Sequence, residues 1–336
     1  MPRRHPLVIG HRGAPGYRPE HSRSSYALAF AMGVDAVEPD VVATRDGVLV
    51  VRHENEISGT TDVADHPEFA DRRTEKAVDG QRMAGWFTED FTWDELATLR
   101  TRERIPALRP ASATFDDAEP ILRLADLLDL VRAASLEHGR EIGVVLEIKH
   151  ATYFAGLGID LAALVERDLR ESGSPASGLP LIVESFEGTV LERVRERGVA
   201  ATYIHLIEAD GAPADLVARD GAAAPTYAEI ASPSGLDALV GVVDGISVDK
   251  KMVLDPDGTG RARGSAPLVS DVRERGLQLY AWTCRPENAF LLPEFRGPGG
   301  RAAFGDYRAE WELLRELDGI FVDHPDLGMD VFRPVS

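Results

Sequence analysis

Cysteine is what this sequence has least of: Cys284 is the only one among 336 residues. An intrachain disulfide is therefore impossible, and the fold must rest on burial and hydrogen bonding rather than on covalent staples. As a nucleophile, Cys284 would need His or Asn partners that sequence alone does not show; a small buried thiol is the plainer reading. Long apolar runs are missing too, and no stretch approaches the roughly 18 residues of a membrane-spanning helix. The opening MPRRHPLVIGHRG has a short apolar run before His11, against the roughly 7–15 apolar residues of a secretion signal, and no small-residue cleavage site. The expected location is cytoplasmic, or secreted or periplasmic if a leader had been trimmed, with no stable membrane insertion. Positive charge is also scarce. With 37 Lys and Arg against 56 Asp and Glu the formal charge is −19, a surface that repels nucleic acid and anionic membranes. A phosphate-bearing ligand would have to be drawn in by a local site and not by the global field.

What is present is ordinary material for a large core: 44% of residues are hydrophobic and 28% charged. Strand patterns fall at 7–11, 36–42 with a hairpin partner at 48–52, 142–148, 181–184, 200–206, 245–248, 277–282 and 319–322. Helical patterns lie between them at 22–32, 121–137, 158–172, 187–197, 213–219 with 234–240, 267–275 and 306–317. Short strands alternating with helices indicate a parallel sheet. Counting the hairpin as an extension leaves eight strands, so the expected fold is α/β, a (β/α)8 TIM barrel with an insertion after strand 2. An open doubly wound sheet is the rival, but GHRGAPG lacks the G-x-G-x-x-G spacing of a dinucleotide turn. The expectation is one barrel domain over 1–336, with 55–118 an embedded subdomain: that stretch is too long and charged for a simple loop. A shorter Pro- and Gly-rich insertion covers 285–305.

Chemistry concentrates at the ends of the early strands. Alternation puts Glu38 and Asp40 on one side of their strand, with Cα atoms about 6.6 Å apart. Two such charges in a barrel mouth demand a cation or a proton. In VVLEIK, Glu147 and Lys149 share the inward parity of Val145. Three carboxylates without Cys or His describe a site for Mg²⁺, Ca²⁺ or Mn²⁺ rather than Zn²⁺. His11 ends the first strand and His53 ends the hairpin strand, both facing the bowl where barrel active sites lie. Histidines that titrate near neutrality, a cation site, Arg12 and Lys149 together fit phosphoester chemistry.

With these residues in view, the chain resembles the glycerophosphodiester phosphodiesterase family, in its longer bacterial branch with an insertion after the second strand. The likeness lies in HRGAPGYRPEHS (11–22), VEPDVVATRDGVLVVRHE (37–54), LEIK (146–149), SF (185–186), WT (282–283) and GIFVDHPD (319–326), in order along nearly the whole chain. It implies hydrolysis of a small-molecule glycerophosphodiester to sn-glycerol 3-phosphate and an alcohol. It also implies one bound divalent cation (Ca²⁺, Mg²⁺ or Mn²⁺), held by Glu38, Asp40 and Glu147. His11 and His53 match the family's acid–base pair, Arg12 and Lys149 its phosphate contacts, and Glu20 an orienting element. Phe186 and Trp282 match the lining of the glycerol or alcohol side. Two departures, Glu54 where Asp is commoner and Gly59 where Arg is frequent, bear on the leaving group. Rival readings are a phospholipase D-like hydrolase of lysophospholipids on the same site and a catalytically silent phosphate-binding barrel. The metal, the head group, the division of acid and base between the histidines, attack by water or by the glycerol 2-hydroxyl, and the oligomeric state stay open at this level.

Overall fold

Runs rich in Val, Ile and Leu, bounded by Gly and Pro, form the strands, because β-branched side chains suit a pleated, packed surface. The computed structural model describes residues 5–173, 180–255, 257–262 and 266–333. Residues 1–4 and 334–336, at the ends of the expected 1–336 domain, lie outside the described residues. The strands are β1 (Leu7–His11), β2 (Ala36–Glu38), β3 (Asp40–Ala43), β4 (Leu49–Val51), β5 (Thr74–Val78) and β6 (Gln81–Gly85). They continue with β7 (Gly143–Ile148), β8 (Leu181–Ser185), β9 (Thr202–Ile207), β10 (Gly245–Asp249), β11 (Gln278–Cys284) and β12 (Gly319–Val322). β1, the pair β2 and β3, and β7 to β12 run parallel; β1 pairs with β12 on one side and β2 on the other, and β2 pairs with β7. That closure makes an eight-stranded (β/α)8 barrel, as the strand–helix rhythm indicates.

Inside, Ile9, Ala36, Val145, Ile204, Tyr280 and Phe321 form a buried layer. A larger apolar cluster fills the space between barrel and helices. Phe321 is 2% exposed, and cutting such a ring to Ala costs about 3–5 kcal/mol through lost transfer energy and the cavity left behind.

The stretch 36–42 is expected as one strand but is broken at Pro39, which has no N–H to give the ladder. The backbone uses the break. Glu147 N–H reaches the Pro39 carbonyl (2.9 Å), and β3 then pairs with β7 and, antiparallel, with β4. The helix expected from 121 starts at Leu124, because the Leu122 carbonyl accepts from Val51 N–H (2.8 Å) and holds that approach against the hairpin. Helices Ala151–Gly156, Lys250–Leu254 and Pro325–Phe332 have no counterpart in the periodicity reading; the first two are short turns after β7 and β10. Residues 55–118 hold the β5–β6 hairpin, helices Trp93–Leu96 and Pro110–Ala113 and several turns. Phe69, Trp86, Phe91, Leu96 and Leu99 of this stretch bury into the same apolar cluster as the barrel helices. Among the described residues no helix is long and apolar enough to cross a membrane.

Candidate active site

The chain leaves β1 through a turn that few residues tolerate. Gly13 has φ +94°, and a Cβ there would lie 2.6 Å from Ser25 Oγ, so only glycine fits. Arg12 also takes a left-handed backbone, φ 55°, a conformation that costs free energy unless its surroundings impose it. Here they do: the Arg12 N–H donates to both the Glu38 carbonyl (2.9 Å) and Glu38 Oε2 (2.8 Å). Its guanidinium donates to Glu20 Oε2 (3.1 Å) and pairs with Asp40 Oδ2 at 3.3 Å.

The ends of β1, β2, β7, β8 and β11 open into a cavity of about 790 Å³. Of the residues selected from sequence, His11, Arg12, Glu38, His53, Glu147, Lys149, Phe186 and Trp282 line it. Asp40 and Glu20 stand behind its wall, and both are buried. His11 Nδ1–H donates to Asp323 Oδ1 (2.7 Å), leaving its other nitrogen for the cavity. His53 mirrors it. Its Nδ1–H donates to Glu54 Oε1 (2.8 Å), and its Nε2 accepts from Lys149 Nζ (3.1 Å). Lys149 also donates to Glu147 Oε1 (2.7 Å), so one ammonium joins a histidine to the carboxylates. Phe186 stands edge-on to Trp282 with centroids 5.9 Å apart, and Lys149 Nζ lies 5.3 Å from the Phe186 ring centre. Further out, Tyr153, Tyr227, Glu187 and Glu208 surround the cavity.

Burial dominates the protonation states. His11 falls to about 4 through burial and the neighbouring Arg12, despite Asp323. His53 falls to about 3 through burial, Arg12 and Lys149. Both are therefore neutral at pH 7. Glu147 rises to about 8 through burial, with Asp40 adding to it against Lys149. Glu38 is pushed well above the usual range by burial and Asp40. Asp40 goes the other way. Burial opposes its charge, but His53, Arg12, Lys149 and the bond from His21 hold it well below. His21, unselected from sequence, donates from Nε2 to Asp40 Oδ2 (2.9 Å) and shares a bond between Nδ1 and the Tyr26 hydroxyl (2.8 Å).

Residues that could hold a metal are the buried carboxylates. Oxygens of Glu38, Glu147 and Glu184 lie within 4.8 Å of one another. Glu38 Oε1, Asp40 Oδ1 and Glu184 Oε2 are buried with no hydrogen-bond partner. An all-oxygen donor set with free buried lone pairs fits a hard divalent cation. Asp40, expected within that set, gives Oδ2 to Arg12 and His21 and keeps Oδ1 free.

Sequence reasoning passed over Glu184, Asp323, Arg104, Arg109 and Arg285. Arg104 grips Glu20 through Nε (2.7 Å) and Nη2 (2.6 Å), and Glu54 through Nη1 (2.6 Å). Arg109 joins Asp323 (2.6 Å) to Glu287 (2.7 Å), and Arg285 also donates to Asp323 (2.7 Å). The one available signal was Asp323 inside GIFVDHPD; the arginines lie in stretches without periodicity.

A barrel whose rim gathers two neutral histidines, an arginine, a lysine and buried carboxylates around one cavity has the equipment of a phosphoric diester hydrolase. Residues 11–327 match the model of the glycerophosphoryl diester phosphodiesterase family, and the chain belongs to that family. It is similar to a glycerophosphodiester phosphodiesterase of Arabidopsis thaliana, 31% identical over 95% of this chain and 83% of the relative. Against the glycerophosphodiester phosphodiesterase of Haemophilus influenzae the identity is 24%, over 98% and 90% of the two chains. In fold it is similar to an Oleispira antarctica phosphodiesterase solved in complex with the product sn-glycerol-3-phosphate. The TM-score is 0.60 at 18% identity, covering 97% of this chain and 96% of the other.

Proposed function

We propose that the enzyme hydrolyses glycerophosphodiesters to sn-glycerol 3-phosphate and an alcohol, with His11 and His53 as the acid–base pair. The observation that carries this reading is the chain Glu147–Lys149–His53, with 2.7 Å and 3.1 Å links, facing His11 and Arg12 across one cavity. Arg12 and Lys149 contact the phosphate, Arg12 in the fixed pose set by Glu20 and Asp40. Glu38, Asp40 through Oδ1, and Glu147 would hold a divalent cation. When bound, such an ion supplies neutralisation of the phosphate oxygens as negative charge grows.

Asp323 and Glu54 each fix one ring nitrogen as a donor, so His11 turns its second nitrogen to the substrate, and His53 does so once Lys149, which holds its Nε2 at 3.1 Å, moves onto the phosphate. One takes the proton of the nucleophile as the new P–O bond forms. The other delivers a proton to the departing alkoxide as the old P–O bond breaks. The arriving phosphate anion raises the acid histidine from its low resting value so that it takes up a proton from solvent, while the other stays neutral and serves as the base. Phe186 and Trp282 form the apolar flank for the alcohol. The proposed domain reading is a single barrel over 1–336 with residues 55–118 as an embedded part whose Arg104 and Arg109 reach the site.

The test is a panel of glycerophosphodiesters with coupled detection of glycerol 3-phosphate, run after chelation and again with Mg²⁺, Ca²⁺ or Mn²⁺ restored. Release of glycerol 3-phosphate that vanishes on chelation and returns with metal supports the reading. Full activity after chelation removes the cation; no turnover of any diester removes the substrate class. Phosphorus NMR during turnover separates a cyclic intermediate from direct attack by water.

A further inference from the structure

Strand register sets a row of acids across the barrel wall. Asp40 of β3 is the Cα partner of Glu147 on β7, and Glu147 is the partner of Glu184 on β8. Along β8, Ile182 packs with the inner barrel layer, and Glu184 shares its parity, while Val183 belongs to the outer cluster. Glu184 therefore points into the barrel mouth, where it lines the cavity at 2% exposure. Like charges set directly opposite on paired strands repel even at a surface. Buried, they need a counter-charge.

The surrounding cations do not supply it. Arg12 pairs with Glu20 and Asp40, Arg104 with Glu20 and Glu54, and Arg52 lies 3.9 Å from Glu20. Lys149 reaches Glu147 and, at 3.8 Å, Asp40. Among the described residues Glu184 has no ion pair, and its Oε2 is without a hydrogen-bond partner. With every carboxylate ionised, Arg12, Arg52, Arg104 and Lys149 face six acids, Glu20, Glu38, Asp40, Glu54, Glu147 and Glu184, a formal deficit that one divalent ion would fill. Oxygens within 4.8 Å of one another also suit a shared ion, since Ca²⁺ and Mg²⁺ hold oxygens at roughly 2.0–2.6 Å on each side.

We propose that Glu184 is a ligand of the divalent cation, joining Glu38 and Glu147 from the neighbouring strands. This rests on the metal-dependent reading of the site and extends it to a residue on β8. Asp40 would then serve both ways, Oδ2 anchoring Arg12 and Oδ1 left for the ion, and Glu184 would add a further carboxylate oxygen.

The test is calorimetric titration of the chelator-stripped full chain with Ca²⁺ and then Mg²⁺. It compares the parent with Glu184→Gln, Glu147→Gln and a control at the exposed Glu137, Glu137→Gln. Glutamine keeps the shape of Glu184 and removes its charge, and circular dichroism with a thermal melt of the stripped proteins verifies folding. The expected result is affinity at least tenfold weaker in Glu184→Gln, loss in Glu147→Gln, an unchanged control, and a smaller metal-induced rise in melting temperature for Glu184→Gln. If Glu184→Gln fails to fold, Glu184→Asp is titrated in its place and must also weaken binding at least tenfold. Parent-like affinity in the Glu184 variant while Glu147→Gln loses binding overturns the role of Glu184 and leaves the metal reading standing. A parent chain that binds neither ion overturns both.

Discussion

The two flanks of the barrel mouth are built on opposite electrostatic plans. Around Glu20, Glu54, Glu287 and Asp323 each carboxylate meets one or more arginines at short range. Around Glu38, Glu147 and Glu184 the one ion pair among the described residues is Lys149 to Glu147, and buried oxygens of Glu38 and Glu184 have no hydrogen-bond partner. The first flank is complete in itself and holds Arg12 and His11 in place. The second lacks a charge of its own and is shaped for something that brings one. Net charge would never show this division, since the whole chain is acidic; it lies in which acids have found cations.

The sharpest break should come where the flanks meet. His11→Ala and His53→Ala are each expected to lower kcat by roughly 10²–10⁴-fold, the usual worth of a positioned acid or base, with an unchanged circular dichroism spectrum; near-normal turnover in either variant would sink the assignment. On the matched flank, Arg109→Ala strands Glu287 and weakens the hold on Asp323. Removing one partner of a buried pair costs about 3–5 kcal/mol, so urea unfolding should shift by that order; a change below about 1 kcal/mol would mean the network is slack. The unmatched flank should answer in the opposite direction. In stripped protein, Glu38→Gln replaces a carboxyl whose charge burial and Asp40 already disfavour and is expected to hold or raise stability by up to about 1 kcal/mol, on the scale of one pKa unit of differential interaction, and a marked loss would show that the flank is already satisfied.

The same contrast sets a pH dependence. Glu147 titrates near 8 in the folded chain and near its ordinary carboxylate value when unfolded. As pH falls from about 8 the folded state binds protons that the unfolded state does not, so stripped protein should gain stability toward pH 6.5, by at most about 1.4 kcal/mol per pH unit per proton. Below that the buried histidines oppose it. His11, His205 and His324, each lowered to about 4 by burial, stay neutral while the unfolded chain protonates, and stability is lost between about 6.5 and 4. Denaturant midpoints across this range, with and without saturating Ca²⁺, check it. Metal should flatten the upper limb and leave the lower one, and identical curves would speak against the cation.

The barrel was legible from sequence because each of its strands is a short apolar run with a glycine or proline nearby, a local signal. Glu38, Asp40, Glu147 and Lys149 were legible because charges inside such runs conflict with burial and so stand out. Glu184 sits in an equally apolar run, LIVES, yet one acid in a strand end carries no pattern; only its register opposite Glu147 gives it meaning. The strand break at Pro39 was visible in principle, since proline cannot serve a central ladder. Arg104 and Arg109 were not, because a salt bridge between residues 84 positions apart leaves no periodic trace.

Arg104 also bears on how such enzymes are recombined. It belongs to the long stretch after the second strand, yet both edges of its guanidinium are committed to Glu20, from the first loop, and to Glu54. Exchanging that stretch with a relative's therefore does not move a self-contained cassette. It removes half of a partly buried lock whose other half stays behind. A chimera will keep Arg12 aligned only if the donor stretch arrives together with its own matching acids, so the unit of inheritance at this barrel mouth is the pair of loops.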